Sequence, residues 1–234
     1  MTIAIVLSGG TGSRVGAVVP KQYIEVNGMP LILYCIEKLD ESEKIDQIQI
    51  VAEVEWHDRI MDWLESFGLD AKILGFSEPG ENRQCSILNA LKDICDVAED
   101  DDYVFIHDAA RPLLSLELID EAVNGMKGYD GVIPVLPMKD TVYLSKDGQS
   151  ISSLLERSEV FAGQAPEVFV YGEYCKANKV LEDSGRIRAI NGSTEPAVLA
   201  GMKIHMIDGD ERNFKITTQA DLERFVEIVK QDEQ

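Results

Sequence analysis

The chain has 234 residues, 45% of them apolar, so a full core can form, and it carries 22 basic against 42 acidic residues for a formal net charge of −20. That balance excludes a general nucleic-acid binder, which needs a basic face, and it disfavours docking on an anionic membrane. No run of ~18 apolar residues occurs, so no transmembrane span is expected.

In chain order, residues 3–7 form a short β-rich run that ends in a glycine cluster. Residues 30–39 read as a helix and 47–52 as a strand. Residues 55–67 read as a helix with Trp56, Ile60, Trp63, Leu64 and Phe67 on one face, followed by a short strand at 71–75. A helix over 82–94 has Ile87, Leu88, Leu91 and Ile94 spaced three and four apart. A buried-type strand at 103–107, a helix at 116–126 and a strand at 131–136 follow. The rhythm then breaks. Residues 141–145 and 150–155 are extended pieces around Lys146-Asp147-Gly148-Gln149, a hairpin signal. A helix at 171–181, a strand at 203–207 and a helix at 219–229 close the pattern. Alternating strands and helices imply an α/β fold: a Rossmann-like, mostly parallel sheet with helices on both faces. One domain over 1–234 is expected, with a projecting hairpin arm at about 137–163. The start, MTIAIVLSGG, has neither a basic segment nor a small-residue cleavage pattern, so no signal peptide is expected and a cytoplasmic location is. The cysteines (Cys35, Cys85, Cys95, Cys175) form no CxxC and read as ordinary thiols. With His57, His107 and His205 far apart, no structural zinc site is expected.

The first strand runs into Leu7-Ser8-Gly9-Gly10-Thr11-Gly12-Ser13-Arg14 and on to Pro20-Lys21-Gln22. Glycines at the C-terminal end of a strand let the backbone approach a phosphate with its N–H groups. A P-loop is absent, because GxxxxGK[ST] does not occur. A dinucleotide fingerprint fits poorly: the spacing is Gly10-x-Gly12-x-x-x-Gly16, and the acid after the second strand, Glu53, comes about twice too late. The order of glycines, arginine and Pro-Lys fits a nucleotidyltransferase loop, in which Arg14 and Lys21 clamp a triphosphate as its leaving pyrophosphate gains charge. A plain glycine-rich turn is the bland alternative. Further on, Asp108 ends a hydrophobic strand where α/β proteins bind ligands, and an aspartate there can hold Mg²⁺ against phosphate oxygens. An Asp108–Arg111 structural pair is the bland reading of that motif. His107 reads as packing rather than as a base.

Six segments in register resemble one family: 7–23 (LSGGTGSRVGAVVPKQY), 80–91 (GENRQCSILNAL), 104–112 (VFIHDAARP), 133–142 (IPVLPMKDTV), 157–169 (RSEVFAGQAPEVF) and 209–222 (GDERNFKITTQADL). The chain is similar to the cytidylyltransferases typified by 2-C-methyl-D-erythritol 4-phosphate cytidylyltransferase, with relatives that act on ribitol 5-phosphate. The resemblance implies transfer of CMP from CTP to a polyol phosphate, with Mg²⁺ or another divalent cation. It implies catalytic roles for Arg14, Lys21 and Lys215. Nucleotide contacts fall on Ser8, Gly9, Gly10, Thr11, Gly12, Gly80, Glu81, Arg83, Ser86 and Ala109, with Gly80 and Ser86 reading cytosine and Arg83 bracing the loop. Acceptor contacts fall on Asp108, Arg111, Asp140, Thr141 and Arg157, and metal contacts on Asp108 and Asn213. It also implies a homodimer in which the arm crosses to a second subunit, its arginine serving the neighbour's pocket.

The chain departs from the family on the acceptor side. Ala165-Pro166-Glu167 stands where Thr-Pro-Gln is usual, which removes a hydroxyl and adds a charge. Asn191-Gly192-Ser193 stands where an acidic Thr-Asp run is usual, and Ser8 replaces a common alanine. Retained cytidylyl transfer is expected, with 2-C-methyl-D-erythritol 4-phosphate as acceptor and ribitol 5-phosphate or another polyol phosphate as the alternative. A non-catalytic nucleotide-binding paralogue would have lost Arg14, Lys21 or Asp108, and all three are present.

Overall fold

Strand alternation decides which residues face which side of the sheet. In β1 (Thr2–Leu7), Ile3 and Ile5 pack into one core, while Ala4 and Val6 pack into another on the opposite face. All four are fully buried, so this strand is covered on both sides and reads as an unbroken apolar run. The structure, a computed structural model, describes residues 1–10, 19–190 and 192–232.

After β1 come the short β2 (Glu25–Val26) and β3 (Met29–Pro30), then α1 (Leu31–Glu41), β4 (Gln47–Val51), α2 (His57–Phe67) and β5 (Ile73–Ser77). Next are α3 (Arg83–Asp93), β6 (Tyr103–Asp108), α4 (Leu116–Asn124) and β7 (Gly131–Pro137). The arm carries β8 (Tyr143–Leu144) and β9 (Ser153–Leu154). The chain returns through β10 (Phe161–Gly163) and β11 (Glu167–Val170), and ends with α5 (Tyr171–Asp183), α6 (Thr194–Leu199), β12 (Ile204–Asp208) and α7 (Gln219–Asp232).

β1 lies between β4 and β6, parallel to both, and β4 pairs with β5 in parallel. The β6 side is different. β11 runs antiparallel to β6 and also antiparallel to β7, so it fills the gap between two strands that run alike. β7 also pairs with β10 in antiparallel and with β12 in parallel. Val135 pairs with both Gly163 and Asp208, so β10 and β12 must flank opposite edges of β7. One core packs Ile32, Ile36, Leu64 and Ile119 against the sheet; the other packs Ile87, Leu91, Phe169 and Tyr174. Helices therefore cover both faces, as expected.

Four features differ from the sequence reading. Strands β10 and β11 are additions, since each is a run of three or four residues around Pro166, too short to show a period. Helix α6 is one and a half turns and left no period either. Asn27 (φ 50°) and Gly28 (φ 79°) form the left-handed turn between β2 and β3, an Asn-Gly hairpin whose strands are two residues each. Phe67, expected to share one face with Ile60 and Leu64, is 43% exposed at the last position of α2, before Gly68 ends the helix in a left-handed cap.

The arm turns at Asp147, whose carboxylate accepts the N–H groups of Gln149 at 2.9 Å and Ser150 at 2.8 Å. Its strands pair only over Tyr143–Leu144 and Ser153–Leu154, shorter than the expected pieces. Tyr143, Leu144, Ile151, Leu154 and Phe161 are all exposed. Among the described residues, no helix is long and apolar enough to cross a membrane.

Candidate active site

The parallel strands β1, β4, β5 and β6 all end at one edge of the sheet, where loops leave their carboxyl termini. A cavity of about 690 Å³ opens there. It is lined by Leu7, Ser8, Gly9, Gly10, Lys21 and Gln22 from the first loop, by Val51 and Glu53 after β4, and by Gly80, Glu81, Asn82, Arg83 and Ser86 at the start of α3. Asp108, Ala110, Lys215 and Thr217 complete it. One feature therefore gathers Ser8, Gly9, Gly10, Lys21, Gly80, Glu81, Arg83, Ser86, Asp108 and Lys215 from the expected set. Thr11, Gly12 and Arg14 lie outside the described residues.

The glycine loop is fastened from below. Gln22 Nε2 donates to the carbonyls of Ser8 and Gly10, at 2.5 and 2.8 Å. The Ser8 hydroxyl donates to the Tyr23 oxygen at 2.8 Å. Gly9 is required by close approach: a Cβ there would lie 2.4 Å from Cβ of Pro79. Lys21 Nζ donates to the carbonyl of Ile216 at 2.6 Å, which brings it to the segment that carries Lys215.

Asn82 caps α3, its Oδ1 accepting from Cys85 N at 2.8 Å. Gly80 sits so close to this first turn that a Cβ would fall 2.4 Å from Cβ of Cys85. The Gly80 N–H donates to Ser86 Oγ at 2.9 Å, and that hydroxyl donates to the Asn82 carbonyl at 3.0 Å. The two groups expected to read a base thus face each other in this state. Glu81 pairs with Arg188 at 2.8 Å.

Asp108 is the charge centre. Its Oδ1 accepts from Arg83 Nε at 3.1 Å and its Oδ2 from Lys215 Nζ at 3.0 Å, with Arg111 Nε at 3.6 Å from Oδ2. Burial pushes the carboxyl pKa up, but the fields of Arg83, Lys215 and Arg111 outweigh it and hold the group far below the usual carboxylate range. An ionised aspartate among three cations leaves positive charge in excess, which suits a polyanionic ligand even in a chain of net charge −20. His107 is fully buried, hydrogen-bonds from Nε2 to the Arg111 carbonyl at 3.0 Å and lies against the Phe105 ring, and burial lowers its pKa to about 4. It lies in the core and does not line the cavity. Among the described residues no group of three or more His, Cys, Asp or Glu side chains could hold a metal ion.

Other expected residues stand apart from the cavity. Ala109 is fully buried, with its N–H bonded to the Leu7 carbonyl at 3.0 Å; the neighbouring Ala110 lines the wall instead. Arg111 is turned inward, donating from Nη1 to the Asn213 carbonyl at 2.6 Å. Asn213 is fully buried, its Nδ2 on the Ala165 carbonyl at 2.6 Å. Asp140, Thr141 and Arg157 are exposed on the arm, with Arg157 Nη1 on the Lys139 carbonyl at 3.0 Å. None of these lines the cavity of its own chain.

Several residues were missed by the sequence reading. Gln22 holds the glycine loop, and a glutamine's reach to two loop carbonyls leaves no sequence signal. Ser193 takes a hydrogen bond from Arg83, and Glu167 pairs with the same guanidinium at 3.7 Å. Glu167 was read as a charge near the acceptor, yet it is 8% exposed and lies behind Arg83.

Comparison with known proteins follows the same lines. The model of the family described as IspD, 2-C-methyl-D-erythritol 4-phosphate cytidylyltransferase, matches residues 2–231. A Clostridium beijerinckii 2-C-methyl-D-erythritol 4-phosphate cytidylyltransferase is 35% identical over 223 residues, covering 95% of each chain. A Streptococcus agalactiae ribitol-5-phosphate cytidylyltransferase is 31% identical over 229 residues, covering 96% of this chain and 94% of that one. Among solved structures, the 4-diphosphocytidyl-2C-methyl-D-erythritol synthase of Anaerococcus prevotii superposes with a TM-score of 0.83 at 23% identity, over 98% of both chains. The last comparison establishes the fold alone.

Proposed function

From the premise that the chain belongs to the IspD family and is a CTP-dependent cytidylyltransferase, we propose that it transfers CMP to 2-C-methyl-D-erythritol 4-phosphate. The observation that carries the reading is the convergence of Arg83, Lys215 and Arg111 on Asp108 beside the glycine loop. The acceptor's phosphate oxygen attacks the α-phosphorus of CTP, a new P–O bond forms, and the bond to the β-phosphate oxygen breaks as pyrophosphate leaves with its electron pair. The nucleophile is already an anion near pH 7, so no base is needed, in keeping with the buried His107. Lys21 and Lys215 neutralise the charge that grows on the departing pyrophosphate, with Arg14 assigned the same task by its place in the loop. Gly9 and Gly10 let the backbone N–H groups approach the phosphates.

The residues fit one divalent cation held in the way usual for Mg²⁺, through a single carboxylate plus substrate oxygens. Asp108 is ionised and lines the cavity. Asn213 does not fit, since its amide braces the Ala165 carbonyl out of the cavity. When bound at Asp108, Mg²⁺ would supply charge neutralisation on the triphosphate.

The apolar side chains exposed on the arm support a homodimer in which each arm covers the other subunit and delivers Asp140, Thr141 and Arg157 to its pocket. Light scattering should give twice 26.0 kDa, and a mass near 26.0 kDa would remove the arm from the site.

A second acceptor reading rests on the similarity to a ribitol-5-phosphate cytidylyltransferase, and Ala165 does not decide against it. That residue is 4% exposed, and no hydroxyl stands there. Ribitol 5-phosphate, the acceptor named for the 31% identical relative, is the alternative. Pyrophosphate release with CTP, Mg²⁺ and each acceptor in parallel decides between them. Turnover with ribitol 5-phosphate alone would reassign the enzyme, and silence with both would point to a different acceptor.

A further inference from the structure

Two carboxylates share Arg83. Its Nε bonds Asp108 Oδ1 at 3.1 Å, its Nη1 donates to the buried Ser193 hydroxyl, and its Nη2 stands 3.7 Å from Glu167 Oε2. Glu167 Oε1 accepts from Thr194 Oγ1 at 2.9 Å, whereas Oε2, fully buried, has no hydrogen-bond partner among the described residues. A buried carboxylate oxygen left half a bond short is costly, and such groups persist where a second arrangement satisfies them. The second arrangement is visible. Both oxygens of Asp108 already face cations, so a divalent cation joining them there meets less repulsion if one of those cations yields. Of its three cations, Arg83 is the one that, among the described residues, stands within 4 Å of a second carboxylate; Arg111 feels the charge of Glu167 from farther off and bonds a neutral carbonyl, that of Asn213.

We propose that Glu167 is a positioning residue that draws Arg83 off Asp108 and so frees the aspartate for a divalent cation when CTP binds. This rests on the reading of Asp108 as the cation's carboxylate. A small swing of the guanidinium would exchange the 3.7 Å ion pair for a full hydrogen bond at Oε2, while Ser193 keeps hold of Nη1. A glutamine at this position would not offer the charge that competes with Asp108. Glu167 is thus a counter-anion on the far side of Arg83, and the cation affinity of the site depends on it.

Glu167→Gln keeps the side chain's shape and its acceptor for Thr194 and removes only the charge. The measurement is Mn²⁺ binding to the protein–CTP complex, followed by the electron paramagnetic resonance of free Mn²⁺, beside CTP binding in EDTA. The expected result is about tenfold weaker Mn²⁺ binding, as for loss of one near charge in a half-screened site, with CTP affinity in EDTA and melting temperature close to wild type. In an Arg83→Lys background, which removes the fork, Glu167→Gln should cause no further loss. Unchanged Mn²⁺ affinity would overturn the proposal. So would an equal loss of CTP affinity with and without metal, or an undiminished effect in Arg83→Lys. Asp108→Asn separates the two levels: if it binds Mn²⁺ as tightly as wild type, the reading of Asp108 itself fails. If Asp108→Asn loses the metal and Glu167→Gln does not, only the role of Glu167 fails.

Discussion

Asp108 and Lys215 are 107 residues apart in the chain and 3.0 Å apart at their charged atoms. The lysine is aimed by the aspartate, and the aspartate is kept ionised by the lysine together with two arginines. Asp108→Asn should lower turnover by ~10²–10³, the range for loss of a preorganised charge. In EDTA it should not weaken CTP binding, because three cations lose their counter-anion and keep their charge. Calorimetric titration with CTP beside pyrophosphate release checks both. A weaker CTP complex with normal turnover would contradict the arrangement. The carboxyl's folded pKa lies below its unfolded value, so its contribution to stability is complete above ~pH 4 and fades only as pH falls further.

Lys21→Ala should reduce kcat by ~10²–10³ with a smaller effect on the KM for CTP, because its charge matters most as pyrophosphate departs. Its bond to the Ile216 carbonyl also steadies the segment carrying Lys215. Steady-state kinetics separate the two constants, and near-normal kcat would remove Lys21 from the catalytic set.

His107 gives the protein an acid-sensitive core. Burial lowers its pKa from 6.5 to about 4, so the unfolded chain takes up this proton first. Stability is therefore full above ~pH 6.5 and declines as pH falls toward 4, by roughly 3 kcal/mol over that span. His107→Gln should flatten the dependence of melting temperature on pH between 6.5 and 4. An unchanged slope would place the acid sensitivity elsewhere.

Gly9→Ala and Gly10→Ala should part company. The first puts a methyl 2.4 Å from Cβ of Pro79, whereas the second meets nothing within 4 Å. Gly9→Ala should cost ~1–3 kcal/mol of stability through overpacking and raise the KM for CTP, because the loop that meets the phosphates is displaced. Gly10→Ala should leave the melting temperature unchanged. Thermal denaturation of the two variants side by side tests this.

The parts legible in the sequence are those with local signals. β1, β4 and β6 showed as apolar runs, α3 by its spacing, the arm by Asp147-Gly148, and the glycine loop and Asp108 by their positions at strand ends. β11 was not legible, because four residues carry no period and nothing local says that a strand enters between β6 and β7. The partnership of Glu167 with Arg83 spans 84 residues and exists only once β11 lies beside β6. Gln22 was invisible for the same reason: its role is a pair of hydrogen bonds made possible by the path of the loop. Arg111 and Asn213 carried the right chemistry in the right motifs, yet packing turns both inward, a matter of side-chain direction that a motif does not encode.

The place of β11 also dictates an order of assembly. β6, β1, β4 and β5 can pair as soon as the first 108 residues exist, since each finds its neighbour within that stretch. β7 cannot join them, because its neighbours β10, β11 and β12 all come later in the chain. The two halves of the sheet stay separate until residues 167–170 slot between them, a closure between distant parts of the chain of the kind that slows folding. Arg83 and Glu167 meet at that same seam, so their ion pair forms only in the step that joins the halves.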